Sequence, residues 1–154
     1  MDLVPALVAG IGLPLVATVI GLLARSRAGR VRTTPDTTGD SASTAAALGL
    51  ARDALGTDVT LVQFSTAYCS RCPGTARALG ALADVHDADV RHVEIDLTED
   101  AALADRFDVR QTPTVLVLDR EGRTAGRIAG VPRIDELRAL IDDLSRRNRV
   151  PQHS

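Results

Sequence analysis

The feature that most constrains this chain is a run of 22 residues without a charged side chain, at positions 3–24. As an α-helix rising about 1.5 Å per residue, the run would span roughly 33 Å, close to the roughly 30 Å hydrocarbon core of a lipid bilayer. A helix buried in a domain of ordinary size rarely needs that length. We therefore expect residues 1–24 to form a transmembrane anchor.

Arginine flanks the uncharged run on its carboxyl side only. Met1 and Asp2 precede the run, whereas four arginines lie within residues 25–32. Because a secretory signal peptide would have positive charge before its apolar run and a small-residue cleavage site after it, we expect the anchor to remain uncleaved. The positive-inside rule then predicts a single-pass protein of the cell membrane, with its N-terminus outside and its domain cytoplasmic. The alternative, an extracytoplasmic domain, stays open.

After the anchor, the chain has room for one domain of ordinary size. Residues 25–42 are rich in Arg and Thr, lack periodicity and are predicted to be a linker. Residues 43–147 contain the patterned elements of the domain, and residues 148–154 are expected to form a disordered tail. The net charge of −2 argues against a chain that binds nucleic acid through its overall charge.

Helical and extended patterns alternate within this domain. β-Branched apolar runs predict strands at residues 59–64, 90–95, 114–118 and 123–128. Apolar spacing predicts helices at residues 43–55, 76–85 and 134–144, with a further short helix capped by Thr98. The resulting order α-β-α-β-α-β-β-α predicts an α/β fold, in which a mixed four-stranded sheet is flanked by helices on both faces.

The chain has two cysteines, Cys69 and Cys72, three positions apart between a predicted strand and a predicted helix. The N-terminus of a helix presents free N–H groups and a partial positive charge, which stabilise a thiolate. Arg71 adds positive charge, and Pro73 suits the first helical turn. We therefore expect Cys69 to attack a disulfide and Cys72 to resolve the mixed disulfide that forms.

Two other interpretations of the cysteine pair stay open at this point. The cysteines are either small buried apolar side chains or half of a zinc site. A zinc site needs two further ligands, and the nearby candidates are His86 and His92, which form no paired motif. His153 lies in the tail.

Three segments carry a resemblance to a known family, namely residues 62–72, 93–96 and 109–114. Through them, residues 43–147 resemble a thioredoxin-fold domain, and the whole chain resembles the membrane-anchored thioredoxin-like proteins of bacteria. The resemblance implies a redox-active disulfide between Cys69 and Cys72, with no other cofactor and no metal. It also implies a cis peptide bond before Pro113, which would face the cysteines. The substrate-binding residues are expected to be Tyr68, Ser70, Arg71, Thr112 and Pro113.

The sequence also departs from the family's usual pattern. Gly-Pro between the cysteines is replaced by Ser70-Arg71, and the preceding Trp by Tyr68. Gln63 stands where the family has a buried Asp. Because an amide cannot accept a proton as a carboxylate does, the activation of Cys72 must use another group, water or the substrate. His92 stands where a Lys is common; it is either a titrating group or a hydrogen-bonded strand histidine.

The function expected from these observations is that of a membrane-tethered thiol–disulfide oxidoreductase. Its partners would be disulfide-containing client proteins, an unidentified electron donor and the lipid bilayer, with no nucleic acid. In a reducing cytoplasm, the net direction would be reduction of the client. The alternatives are a redox-independent, membrane-tethered binding module and an extracytoplasmic oxidoreductase that serves envelope or cytochrome maturation. The sequence leaves the redox potential, the clients and the oligomeric state open.

Overall fold

The computed structural model describes Gly12 and residues 15–22, 29–33 and 43–149. In chain order, the elements after the N-terminal residues are β1 (Arg32–Thr33), α1 (Thr44–Ala47), a 3-10 turn (Arg52–Ala54), β2 (Val59–Ser65), α2 (Cys72–Val85), β3 (Val90–Asp96), α3 (Ala101–Arg106), β4 (Thr114–Asp119), β5 (Thr124–Ala129) and α4 (Ile134–Arg149).

The strands form one mixed sheet in the order β1-β5-β4-β2-β3. β3 runs parallel to β2, and the other neighbouring strands are antiparallel. The predicted mixed sheet of four strands is confirmed, and β1 extends it at one edge. β1 lies within residues 25–42, which the sequence predicted to be a linker. Arg32 pairs with Arg127 and Thr33 with Gly126. A pairing of two residues depends on the exposed edge of β5, so local periodicity gives no sign of it.

β2 is the centre of the fold, because all seven of its residues are buried. Successive side chains point to opposite faces of a strand. On one face, Val59 and Leu61 join a core with apolar side chains of α2 and α4. On the other face, Val62 and Phe64 join a second core that includes Ala45 of α1 and Leu103 of α3. The two faces are called the α2/α4 face and the α1/α3 face below.

The helix predicted over residues 43–55 is wrong in its extent. Ser43 caps α1 as expected, since its hydroxyl oxygen accepts a hydrogen bond from Ala46 N at 3.2 Å. The helix then stops, because Gly49 adopts a φ of +69° in the left-handed region. The chain returns to helical geometry only in the 3-10 turn. The alanine-rich composition favoured a continuous helix, and this glycine overrides it.

The cap of α3 also differs from the prediction. Asp100 lies at the N-cap position, and its carboxylate accepts a hydrogen bond from Leu103 N at 2.8 Å. The predicted cap, Thr98, lies two residues earlier. The Thr98 N–H donates to Asp96 Oδ1, and its hydroxyl oxygen accepts from Ala67 N at 2.8 Å. Thr98 therefore supports the loop before the cysteines.

The described part of the predicted anchor is Gly12 and residues 15–22, all of which are helical. Large apolar side chains are exposed there: Leu15, Val16, Val19, Ile20 and Leu22. The rest of residues 1–24 lies outside the described residues. Within the described ranges, no helix is both long and apolar enough to cross a membrane. Of the predicted tail, residues 148 and 149 belong to α4, and residues 150–154 lie outside the described residues.

Candidate active site

The two cysteines lie where β2 leads into α2. They form a disulfide with a Cα–Cα distance of 5.4 Å. Cys72 is the first residue of α2 and Pro73 the second, so the ring of Pro73 occupies the first turn, where a proline is tolerated. The loop is held by backbone hydrogen bonds from Cys69 N to Thr66 O and from Cys72 N to Cys69 O. These placements agree with the expected position of the pair at a helix N-terminus.

The two cysteines differ in exposure. Cys69 is half-buried in the loop, whereas Cys72 is 2% exposed beneath it. A partner sulfur can therefore approach Cys69 and is kept from Cys72. The positive end of α2 and the exposed Arg71 side chain both favour a thiolate here. This asymmetry fits an attacking and a resolving cysteine.

Residues 107–113, called the proline loop, lie beside residues 66–71, called the cysteine loop. The Thr112–Pro113 peptide bond is cis, as the resemblance implied. The hydroxyls of Thr112 and Thr66 are 3.4 Å apart, which links the two loops. Pro113 is buried, and its carbonyl oxygen accepts a hydrogen bond from Gly130 N at 2.8 Å. The loop is thus fixed to the end of β5.

Exposed side chains surround the disulfide. Tyr68 is 89% exposed, and both Ser70 and Arg71 are exposed. An aromatic ring on the surface beside a reactive sulfur offers an apolar contact to a protein partner. The structure brings all the predicted site residues into the two adjoining loops, and their roles in binding stay predictions.

Three polar side chains lie near the pair on the α2/α4 face: the buried Gln63 of β2, and the half-buried His92 and exposed Glu94 of β3. Gln63 is fully buried, and its Nε2 donates to Cys72 O at 3.1 Å and to Glu94 Oε1 at 3.2 Å. His92 lies two residues before Glu94 on β3. Burial lowers the pKa of His92, and the nearby Glu94 carboxylate raises it by a smaller amount. The interpretation of His92 as a hydrogen-bonded histidine is not supported, since its buried Nε2 has no partner among the described residues.

Sequence reasoning missed three residues that support the site: Glu94, Thr66 and Thr98. Glu94 carries no distinguishing signal, because polar and apolar residues are mixed along β3 and Glu94 is one of its exposed residues. The pairing of β2 with β3 that places it opposite Gln63 has no sequence signal either.

The zinc interpretation finds no support in the described part of the chain. Both cysteines are in the disulfide, and no group of three or more potential ligands occurs there. The imidazole Nε2 of His86 lies 3.3 Å from Asp142 on α4.

The fold and the site together define a thioredoxin-like domain with a Cys-x-x-Cys disulfide, the arrangement of a thiol–disulfide oxidoreductase. The sequence model of the family described as Thioredoxin matches residues 52–143. The chain belongs to the thioredoxin family.

Similar proteins agree with this assignment. A thioredoxin of Staphylococcus saprophyticus is 27% identical over 90 residues, which cover 58% of this chain and 86% of that protein. Protein disulfide-isomerase 1 of Caenorhabditis elegans is 34% identical over 64 residues, or 40% of this chain. The matched part is 13% of the length of that isomerase.

Solved structures show the same fold. A mutant thioredoxin from Halobacterium salinarum has a TM-score of 0.50 at 28% identity, covering 58% of this chain and 76% of its own. Chloroplastic thioredoxin z has a TM-score of 0.52 at 21% identity, covering 58% and 80% of the two chains. At that identity the second likeness concerns the fold alone.

Proposed function

We propose that this protein is a membrane-tethered enzyme that reduces disulfides of client proteins. The observation that carries the proposal is the Cys69–Cys72 disulfide, with one cysteine accessible and the other buried at the start of a helix. The exposed Tyr68 precedes Cys69 in the chain, and Thr112 lies in the adjoining loop, 3.4 Å from Thr66 between the hydroxyl oxygens; both residues would hold an extended segment of the client.

The reaction proceeds by two exchanges. The Cys69 thiolate of the reduced protein attacks one sulfur of a client disulfide; the client S–S bond breaks, and the other client sulfur leaves as a thiolate that takes up a proton. Cys72 then gives its proton to water or to the client, and its thiolate attacks Cys69 Sγ. This step releases the second client thiolate and forms the Cys69–Cys72 disulfide. Two electrons pass to the client, and an electron donor must return them to the protein.

Trapping in cells tests this chemistry. We expect Cys72→Ser to accumulate mixed disulfides with clients through Cys69, and Cys69→Ser to reduce a disulfide substrate at the uncatalysed rate only. Glu99→Ala is the control, because it changes an exposed side chain outside the predicted binding residues and keeps both sulfurs. Full reductase activity of Cys69→Ser would contradict the assignment of the nucleophile. A stable non-covalent complex that forms equally well in the unmodified protein and in both cysteine variants would instead favour the binding module.

Two observations support the tether. The first is the exposure of large apolar side chains on residues 15–22. The second is that the chain leading from the predicted anchor is fixed to the domain at Gly29. Gly29 N donates to Ala129 O at 2.9 Å, and Arg133 N donates to Gly29 O at 3.3 Å. Gly29 has a φ of +77°, and a Cβ atom there would lie 2.4 Å from Val131 O, so only glycine fits this position.

This junction lies at the same end of the sheet as the proposed site. Ala129 pairs with Thr114, and the next residue, Gly130, donates its N–H to Pro113. Six residues, 23–28, separate the described helical residues from Gly29, and a chain of that length reaches at most about 25 Å. A membrane anchor at residues 1–24 would therefore hold the proline loop close to the bilayer, where membrane-bound clients are within reach.

Fractionation and protease accessibility test the tether and its orientation. We expect the full-length protein to stay with membranes after an alkaline wash, and residues 43–154 to resist protease added to intact cells or spheroplasts. A protein extracted by the wash would contradict the tether. Digestion of the domain in spheroplasts whose cytoplasmic marker stays intact would contradict the cytoplasmic placement and favour the extracytoplasmic alternative.

A further inference from the structure

The side chain of Gln63 has partners on one side only. Its Nε2 donates to two acceptors, the carbonyl oxygen of Cys72 and the carboxylate of Glu94. Its Oε1 is buried and has no hydrogen-bond partner among the described residues. Because both neighbours of the nitrogen are acceptors, turning the amide over would place an oxygen against two oxygens. The network therefore fixes the orientation of the amide and leaves Oε1 unpaired.

An unpaired acceptor in the interior destabilises the state in which it occurs. That state is the disulfide, in which Cys72 Sγ carries no proton. Cys72 is buried, and its own carbonyl oxygen holds the neighbouring nitrogen of the Gln63 amide. An S–H group on Cys72 would therefore form beside Gln63, whose Oε1 lacks a hydrogen-bond donor.

Reduction creates such a donor. A dithiol such as dithiothreitol or the glutathione pool adds two electrons and breaks the Cys69–Cys72 bond. The accessible Cys69 sulfur at the positive end of α2 is the one better stabilised as a thiolate. The buried Cys72 sulfur takes up a proton from solvent and becomes an S–H group, a weak donor.

We propose that Gln63 Oε1 accepts the hydrogen bond of the Cys72 thiol in the reduced protein, so that Gln63 is a positioning residue that shifts the thiol–disulfide equilibrium toward the dithiol. The linkage follows from the two states. Oε1 is unpaired in the disulfide and paired in the dithiol, so the side chain favours the dithiol. This role concerns the redox equilibrium of the site itself and is independent of which clients or membrane the protein meets.

The test is the equilibrium of the full-length protein with reduced and oxidised glutathione. Gln63→Met keeps the length of the side chain and removes its hydrogen bonds. We expect the equilibrium constant for disulfide formation to rise about tenfold in this variant, from the loss of one buried hydrogen bond in the dithiol state and of one unpaired acceptor in the disulfide state. Asn148→Leu is the control, since it removes another side-chain amide that donates to a backbone carbonyl, that of Asp58, away from the cysteine loop.

If Gln63 had a purely structural role, Gln63→Met would lower the stability of the disulfide and dithiol forms equally and leave this equilibrium unchanged. A change of less than twofold in Gln63→Met, or a shift toward the dithiol, would overturn the proposal. If the variant does not fold, the side-chain carbonyl carbon of Gln63 is followed by NMR in the unmodified protein. We expect its resonance to move on reduction while that of Asn148 stays in place, and a resonance that does not move overturns the proposal as well.

Discussion

The two faces of the central sheet come from the same strands but differ in whether their buried polar side chains are hydrogen-bonded. On the α1/α3 face, the β2 row consists of Thr60, Val62 and Phe64, and the one polar side chain in it is paired, since the Thr60 hydroxyl oxygen accepts from Gly56 N at 3.0 Å. The ring of Phe64 lies 5.8 Å from that of Phe107. On the α2/α4 face, the corresponding row is Val59, Leu61, Gln63 and Ser65, and the buried Oε1 of Gln63 has no hydrogen-bond partner among the described residues.

The difference indicates which face of the sheet takes part in the redox chemistry. The two buried side-chain polar atoms without a partner among the described residues, Gln63 Oε1 and His92 Nε2, both lie on the α2/α4 face, whereas the buried Ser145 of α4 donates its hydroxyl to Ile141 O. Gln63, His92 and Glu94 together form the polar end of the α2/α4 face. Buried polar groups are tolerated in a core only at a cost in stability, and sites of function are where such costs occur. We infer that the α1/α3 face determines stability alone, whereas the end of the α2/α4 face couples stability to redox state and pH.

The largest expected effect is a loss of stability on the α1/α3 face. Phe64 is fully buried, so Phe64→Ala should lower the free energy of unfolding by about 3–5 kcal/mol. Urea unfolding of the disulfide form measures it. Val85→Ala, at an exposed position of α2, is the control and should change stability by no more than about 0.5 kcal/mol. The glutathione equilibrium of Phe64→Ala should stay within about twofold of the unmodified protein. A shift as large as that expected for Gln63→Met would show that the two faces are not separate.

A smaller effect is expected at the helix that covers the same face. Asp100→Ala removes the carboxylate that accepts from Leu103 N, and the loss of an N-cap costs about 1 kcal/mol. Glu99→Ala, at the exposed neighbouring position, is the control and should be near neutral. Chemical unfolding of both variants measures the difference. Equal stability of the two variants would mean that Asp100 does not cap α3.

The sequence allowed the prediction of the elements whose patterns are local. Three predictions each depend on a few neighbouring residues: the β-branched apolar run of β2, the placement of Cys69 and Cys72 after that strand, and the amphipathic spacing of the last helix. The resemblance added the cis bond before Pro113, which spacing alone does not give. These features are short in range, and the structure agrees with them.

The features that escaped prediction depend on contacts between distant segments. Thr98 and Asp100 are both good capping residues. The Thr98 hydroxyl oxygen accepts a hydrogen bond from Ala67 N in the cysteine loop, and Asp100 caps α3. Glu94 meets Gln63 only through the parallel register of β3 against β2. A one-residue slip would turn Glu94 to the opposite face. The short β1 forms because its backbone pairs with the edge strand β5.

The smallest effect concerns the pH dependence of the α2/α4 face. Burial lowers the pKa of His92, and Glu94 on the same strand offsets part of this. The unfolded chain therefore binds a proton at His92 at a higher pH than the folded protein does. Stability should be greatest above the ordinary histidine pKa of about 6.5 and should fall as the pH drops below it, until the folded protein is itself protonated at His92.

His92→Leu removes the group that causes this loss, so the variant should lose less stability than the unmodified protein between pH 7.5 and 5.5 in urea unfolding. His86→Gln is the control, because it removes a histidine that pairs with Asp142 and leaves His92 in place. The difference between the two variants should be smaller than the loss in Asp100→Ala, since His92 is only half-buried and solvent screens its charge. If His92→Leu kept the full pH dependence, the polar end of the α2/α4 face would respond to redox state alone, and the coupling to pH would belong to another part of the protein.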